Sequence, residues 1–244
     1  MERGFILDTI IYLLLDMLET ASIAVLSLSV FMYPVREYIR ELTLISILIA
    51  LSSWVIRINF DLSLVNSLAH FVILILSMRY LLKIKLYRSA HIALVGMAGF
   101  LLIQLVVASL LNLLNIIVPT DVELATGRSV YLIQIICVMA VFFVSYLVSR
   151  FSLGVTKYVR PPHSFFVKEK ITKKKLSTIS ITLIGTFTVL FGFYLCLSFE
   201  LYWSVAVLLV LSTFLLYDSY RKDKPHDHIG HRPVSGKGHQ EIQR

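Results

Sequence analysis

The chain has 244 residues, of which 57% are hydrophobic and 16% charged, with a mean hydropathy of +0.81 and a formal net charge of +8. Soluble domains average about a quarter charged residues, so this composition excludes an ordinary water-soluble fold and predicts an all-α protein with several membrane-spanning helices. The apolar runs are continuous rather than alternating, which excludes a β-barrel. Both cysteines, Cys137 and Cys196, lie inside apolar runs, so neither a disulfide framework nor a cysteine zinc site is expected.

Seven apolar runs are predicted to span the membrane. Each needs about 20 residues to cross about 30 Å of hydrocarbon. Asn59, Phe60 and Asp61 alone separate the second run from the third, but one helix of about 40 residues would be too long for a single span, so a turn is expected there. The first run lacks a small-residue cleavage site, which favours a span over a signal peptide. In chain order the runs cover residues 5–32, 42–60, 62–81, 89–118, 129–149, 177–198 and 201–217.

Lysine and arginine are concentrated in alternate connections between these runs. The connections after spans one, three and five are basic, whereas the intervening ones carry Asp61, Asp121 and Glu200. Basic connections face the cytoplasm, so the N-terminus is predicted outside and the C-terminus inside. The sequence therefore predicts a multi-pass protein of the plasma membrane.

The polar residues of the first span recur at intervals of three and four. At about 100° per residue they fall on one arc of roughly 120°. They are Asp8, Tyr12, Asp16, Glu19, Thr20 and Ser27. Ionisable groups in hydrocarbon tend to face the bundle interior, to pair with one another or to line a wet cavity. An acidic face directed into the bundle is therefore expected.

In the predicted orientation, polar side chains from five spans gather in the outer half of the membrane. Two interpretations stay open. Such groups form interhelical contacts worth about 1 kcal/mol each, or they line an outward-facing pocket for an external ligand. Three carboxylates on the first helix exceed what packing requires. The candidate residues are Asp16, Glu19, Arg57, His70, Gln104, Asn112 and Gln134.

The longest cytoplasmic connection, 150–176, combines basic and aromatic residues. This pattern is typical of a surface that contacts anionic lipid, and the alternative is a docking surface for a cytoplasmic partner. Nothing beyond charge supports nucleic-acid binding. The polar tail, 218–244, has the composition of a disordered segment, although its histidines could capture zinc. The candidate surface residues are Arg160, His163, Lys168, Lys170, Lys173, Lys174 and Lys175.

No catalytic motif accompanies these features. His70 and Ser77 lie about 10 Å apart along one helix, too far for a nucleophile and its base. We therefore predict a non-enzymatic protein without a cofactor or a metal centre. A small transporter using Asp16, Glu19 and Arg57 is the alternative, although no inverted repeat is evident. Gly96 and Gly99 are interpreted as a close-packing patch on the fourth span.

Several segments resemble the multi-span N-terminal membrane region of quorum-sensing-type GHKL sensor histidine kinases of Gram-positive bacteria. They are LSSWVIR ending at Arg57, RYLLKIKLYRSA from Arg79, GFLLIQLVVASLLNLL with Gln104, and RPPHSFFVKEK from Arg160. The resemblance covers about residues 5–217. Such receptors continue into a phosphoacceptor helix and an ATP-binding domain, for which 218–244 is too short. The resemblance therefore implies a bacterial sensor-like module that binds an external ligand or modulates a cytoplasmic or membrane signalling partner. Whether such a module forms a homodimer stays open.

Overall fold

The computed structural model describes residues 2–59, 63–114, 116, 128–154, 179–182, 184–188, 209–210, 213–215 and 217. These residues are helical apart from short turns, and no strand occurs among them. A 3-10 turn, Val35–Tyr38, precedes the second helix, and a π-helical segment, Trp54–Asn59, extends it. The five main helices are α1 (Glu2–Val30), α2 (Ile39–Ser53), α3 (Ser63–Tyr80), α4 (Leu86–Leu113) and α5 (Arg128–Arg150).

Four helical stretches in the described part are long and apolar enough to cross a membrane. They are Thr9–Val30, Val35–Ile56, Leu86–Leu113 and Val130–Arg150, and Val65–Tyr80 forms a shorter apolar helix. The all-helical class is therefore confirmed, and the chain is a membrane protein by length and composition of its helices. Most of the predicted sixth and seventh spans, the basic residues between 160 and 175, and the tail 218–244 lie outside the described residues.

Helix α1 lies at the centre of the bundle and packs against α2, α4 and α5, whereas α3 packs mainly against α2 and α4. Three turns meet at one end, which we call the basic end: residues 31–34, 81–85 and 151–154. A Cβ built on Gly154 would lie 2.6 Å from the Val30 carbonyl oxygen, so the turn after α5 closely approaches the end of α1. Consequently α1 and α5 run parallel, and α1 and α2 run antiparallel.

The core consists of large apolar side chains from all five helices. Leu28, Ile45, Leu74, Ile92 and Val141 are fully buried in it. The outer surface is also apolar, because the helices direct stripes such as Leu44, Leu48 and Leu51 or Val65, Leu68, Val72 and Leu76 away from the bundle. Apolar area costs about 25 cal/mol per Å² in water, so this surface fits a lipid environment.

The end of α1 is closed by a Schellman motif without glycine. Met32 has a φ of 55°, and the N–H of Tyr33 donates to the Leu28 carbonyl at 3.0 Å. The turn after α5 repeats this arrangement with Ser152 at a φ of 52°. These bonds satisfy carbonyls that a helix end otherwise leaves unpaired, and they reverse the chain at the basic end.

Candidate functional site

The polar arc of α1 faces into the bundle, as the periodicity predicts. Tyr12, Thr20 and Ser27 are fully buried, and Asp16 is 6% exposed. The opposite side of the helix is apolar and exposed, with Ile10, Leu14 and Leu18 turned outward. In a soluble protein the apolar side of a helix is buried and the polar side is exposed, and α1 shows the opposite arrangement. Its polar groups lie among the helices, and its apolar side chains lie on the surface that would contact lipid.

Glu19 meets Gln134 across the contact between α1 and α5. The Gln134 Nε2 donates to the Glu19 Oε2 at 3.4 Å in a half-buried position. Glu19 lies about 16 Å from the Val30 end of the helix at about 1.5 Å per residue, near mid-depth of a hydrocarbon layer of about 30 Å. The structure thus brings together two residues of the predicted outer cluster, from helices far apart in sequence.

Tyr12 and Ser53 fix the register between α1 and α2. The Tyr12 hydroxyl and the Ser53 Oγ form a buried hydrogen bond of 2.9 Å. The two helices are antiparallel, so moving one turn away from the basic end leads from Tyr12 to Asp8 on α1 and from Ser53 to Arg57 on the helix that continues α2. The backbone of Arg57 is therefore level with Asp8 and not with Asp16. The Arg57 side chain lies outside the described part. The backbone register therefore places Arg57 nearer the helix ends than the buried carboxylates of α1.

The parallel pair α1 and α5 has its own register. The Glu19 to Gln134 contact sets Tyr131 about level with Asp16, one helical turn further from the basic end. Tyr131 is half-buried on α5. Two successive turns of the interface between these helices therefore carry polar residues from both sides.

The Thr20 hydroxyl differs from most other helical hydroxyls in the described part. Ser27, Ser46 and Ser145 each donate to the backbone carbonyl four residues earlier, at 2.7 to 2.9 Å. The fully buried Thr20 Oγ1 makes no hydrogen bond among the described residues. The Gln134 Oε1 is likewise buried there without a hydrogen-bond partner. Each such atom carries a desolvation cost of about 1 to 3 kcal/mol.

The other predicted cluster residues are more dispersed. His70 is buried on α3, which packs against α2 and α4 and is one helix removed from α1, and its Nε2 has no hydrogen-bond partner in the described part. Gln104 and Asn112 are half-buried on α4. The proposed surface residues Arg160 to Lys175 fall outside the described residues. Of the predicted cluster, the structure therefore brings together Glu19 and Gln134, with the buried Asp16 one helical turn from Glu19.

A second buried polar contact, which the sequence pattern does not indicate, lies nearer the basic end. The His91 Nδ1 is 3.2 Å from the Thr182 Oγ1, and the imidazole makes an edge contact with Phe31 at 5.9 Å between ring centroids. His91 is fully buried. It ties residues 179–182 to α4 and α1. A histidine near the start of an apolar run could have been noted as a helix contact, but its partner is ninety-one residues away.

Arginine and tyrosine side chains pair at the basic end. Arg79 lies over the Tyr80 ring at 6.0 Å, and Arg88 lies over the Tyr87 ring at 5.6 Å. Burial raises the pKa of Tyr33 above its ordinary value, and the nearby Arg88 guanidinium offsets part of that rise. These contacts place cations and aromatic rings where membrane proteins commonly meet the lipid headgroups.

No family model, curated protein or solved structure matches the chain. The resemblance to sensor-kinase membrane regions therefore stays a prediction. Within the described residues no group of three or more His, Cys, Asp or Glu side chains is arranged to hold a metal ion.

Proposed function

We propose that this chain is a non-catalytic, multi-pass protein of the bacterial plasma membrane that acts as a sensory or regulatory module. In this proposal an external ligand binds among the polar groups of α1 and α5, and the response passes to a signalling partner at the cytoplasmic side. One observation carries it: Glu19 reaches Gln134 at mid-depth, next to the buried Asp16. Ionisable residues inside membranes commonly mark ligand or ion sites.

The polar groups of α1 exceed what helix association requires. Interhelical hydrogen bonds in membranes contribute about 0.6 kcal/mol on average, which serine and threonine supply without a formal charge. Asp16 and Glu19 instead add two carboxylates at a depth where a charge costs about 2.5 to 3.5 kcal/mol or more. This cost supports a function for the acidic face beyond packing.

The orientation and the seven-span topology belong to the same proposal. The basic end carries Arg36, Arg40, Lys83 and Lys85, which the positive-inside rule assigns to the cytoplasm. The cluster at Asp16 then lies in the outer half. Anionic lipid contacts the basic end and the 150–176 loop, which also offers a surface for the signalling partner.

A genetic experiment separates this function from packing. In cells that express the protein, genome-wide transcription is compared between strains carrying the wild-type chain, Asp16→Asn, or no copy. A regulatory role predicts that Asp16→Asn reproduces the profile of the strain without the protein while its abundance in the membrane stays at the wild-type level. The matched control is Glu37→Gln, which changes an exposed carboxylate outside the cluster. The proposal would be contradicted if the Asp16→Asn protein were less abundant in the membrane and the change in the transcription profile were no larger than that loss of protein explains.

Transport is a second candidate because buried carboxylates relay protons in pumps and transporters. Asp16, which is buried, and Glu19, which is half-buried, lie about one helical turn apart on the polar side of α1, and this spacing suits such a relay. Proteoliposomes containing the purified chain and a pH-sensitive dye distinguish the two functions. A proton or solute flux that Glu19→Gln abolishes favours transport. The absence of such a flux, together with a kinase captured by crosslinking in native membranes, favours regulation.

A further inference from the structure

Arg150, the last residue of α5, lies in line with an exposed apolar stripe of the same helix. Its side chain is exposed, and the residues of the stripe precede it at steps of three and four, so the cation and the stripe share one face. One face of α5 therefore begins with a cation at the basic end and continues as apolar surface. In order away from the basic end, the stripe contains Tyr146, Phe143, Met139, Ile136 and Leu132.

Arg40, in the first turn of α2, is followed by a second stripe of the same form. The exposed side chains of Leu44, Ile47 and Leu51 follow it at steps of four, three and four. From the cation to Leu51 on α2, or to Met139 on α5, each stripe covers about 16 Å at about 1.5 Å per residue. This length is close to the depth of one leaflet, which is half of a hydrocarbon layer of about 30 Å.

The guanidinium groups of Arg40 and Arg150 are not engaged by other side chains in the described part of the chain. Neither group makes a hydrogen bond, an ion pair or a ring contact there. Residues 128–154 contain no Asp or Glu, and Glu37 and Glu41 form no ion pair with the neighbouring Arg40. An exposed guanidinium at the end of an apolar stripe is complementary to an anion that lies at the surface of the hydrocarbon.

We propose that Arg40 and Arg150 each bind the headgroup phosphate of an anionic phospholipid whose acyl chains lie along the apolar stripe of the same helix. A guanidinium donates two parallel N–H bonds to phosphate oxygens. A soluble anion would use the cation alone, whereas a phospholipid uses both parts of the face. A zwitterionic headgroup carries its own cation, which competes with the arginine for the phosphate, so an anionic headgroup is preferred.

These two lipid sites deepen the lipid contact of the proposed function, and they rest on it for the side of the membrane on which the basic end lies. The positive-inside rule accounts for arginine near a cytoplasmic connection, but it does not select a face of a helix. Lipid binding accounts for the position of both arginines on the lipid-facing side, at the end of the stripe.

Native mass spectrometry of the purified full-length chain tests the sites. The chain is released from detergent micelles that contain phosphatidylglycerol and phosphatidylcholine of equal chain length at equal concentration. We expect the wild type to retain phosphatidylglycerol in preference to phosphatidylcholine. Arg150→Gln should weaken phosphatidylglycerol binding about fivefold, because one arginine near an anionic surface contributes about 1 kcal/mol. Equal retention of the two lipids by the wild type would overturn the proposal.

Lys83→Gln is the matched control because it removes the same formal charge from the same end of the bundle. Lys83 is exposed and without a partner in the described residues, but it lies in the turn 81–85 and belongs to no helical stripe. Lys83→Gln should therefore bind phosphatidylglycerol as the wild type does, and Arg150→Lys should bind it more tightly than Arg150→Gln. Equal losses in Lys83→Gln and Arg150→Gln would show that overall charge attracts the lipid and that the stripes form no sites.

Three further results separate the lipid, the orientation and the function. If glycerol phosphate displaces phosphatidylglycerol at equal concentration, the arginines bind a soluble anion and the lipid assignment is wrong. A C-terminal reporter that is active outside the membrane would reverse the proposed orientation, and the lipid sites would then lie in the outer leaflet. If Arg150→Gln loses the lipid preference while Asp16→Asn leaves transcription unchanged, the lipid sites are real and the regulatory function is wrong.

Discussion

The Ser27 side chain of α1 occupies the space that a Cβ atom on Gly96 of α4 would need. A Cβ built on Gly96 would clash with the Ser27 Oγ and lie 2.8 Å from its Cβ and 3.1 Å from its Cα. Small residues let membrane helices approach this closely, and the backbones then gain dispersion contacts along the interface. The predicted close-packing role of Gly96 is confirmed, and it positions the buried face of α1 against α4.

Gly96→Ala should therefore destabilise the protein despite the better helix propensity of alanine. We expect a loss of about 1 to 3 kcal/mol in the free energy of unfolding, because the extra methyl group overpacks a helix contact. Gly99→Ala is the matched control, since its Cβ would meet the flexible end of Leu26 at 3.2 Å. Unfolding in mixed detergent micelles measures both variants.

The clash makes a second-site prediction. Ser27→Gly should partly restore the stability of Gly96→Ala, because it removes the Oγ and Cβ atoms that the new methyl group meets. Additive losses in the double variant would show that the two residues are not in contact.

The Tyr12 to Ser53 hydrogen bond should couple α1 to α2 energetically. Ser53→Ala and Tyr12→Phe remove one partner each, and a double-mutant cycle between them should give a coupling of about 0.6 to 1.7 kcal/mol. The cycle is measured by the same unfolding assay. A coupling of zero would mean that the register inferred from the bond of 2.9 Å is wrong.

Ser152→Gly should stabilise the turn after α5. Ser152 has a φ of 52°, a left-handed conformation that costs a side-chain-bearing residue about 1 kcal/mol and glycine little. Gly154→Ala should have the opposite effect, because its Cβ would lie 2.6 Å from the Val30 carbonyl oxygen. Melting temperatures that move in the same direction for both variants would contradict this description of the turn.

Tyr33 should make the stability of the protein fall at alkaline pH. Burial raises the pKa of Tyr33 in the folded protein, so the folded state holds the phenol proton more tightly than the unfolded chain. Its contribution is full below about pH 10, where an unfolded tyrosine stays protonated, and is lost as pH rises through the folded pKa. Tyr33→Phe should flatten this alkaline decline relative to the wild type.

Substitution of Arg88 tests the direction of the electrostatic effect on the pKa of Tyr33. Its guanidinium lowers the pKa of Tyr33, so Arg88→Gln should shift phenol ionisation to higher pH in an ultraviolet titration compared against Tyr33→Phe. A shift to lower pH would show that the two groups do not interact as the structure indicates.

The sequence predicts the buried side of α1 well because its polar residues recur at the helical period. Asp16 and Thr20 follow Tyr12 at steps of four, and all three are buried, whereas Leu14 is 54% exposed. Helix α4 carries no such signal. Its residues 91–98 are buried on every side, and a helix that is apolar all round does not indicate which neighbour it meets.

Partners distant in sequence account for what the sequence could not predict. Nothing in the pattern of α5 identifies Gln134 as the partner of Glu19, or Thr182 as the partner of His91, because periodicity orients a side chain without naming its contact. Depth derived from loop charge places Arg57 near the outer end of its span, within reach of either Asp8 or Asp16, and only the Tyr12 to Ser53 bond sets its backbone level with Asp8. Register depends on tertiary contacts that the helical period does not contain.

Thiol labelling distinguishes an outward-facing site on the acidic face of α1 from a contact that serves packing alone. Asp16→Cys is prepared in a chain carrying Cys137→Ala and Cys196→Ala, and intact cells are treated with a small cationic methanethiosulfonate that does not cross membranes. Leu14→Cys, on the exposed apolar side of the same helix, is the control. Thiols react as thiolates, which require water, so a wet site predicts rapid modification of Asp16→Cys and none of Leu14→Cys. A folded Asp16→Cys protein that stays unmodified from outside, as the control does, would show that the acidic face of α1 is a packing contact and not an outward-facing site.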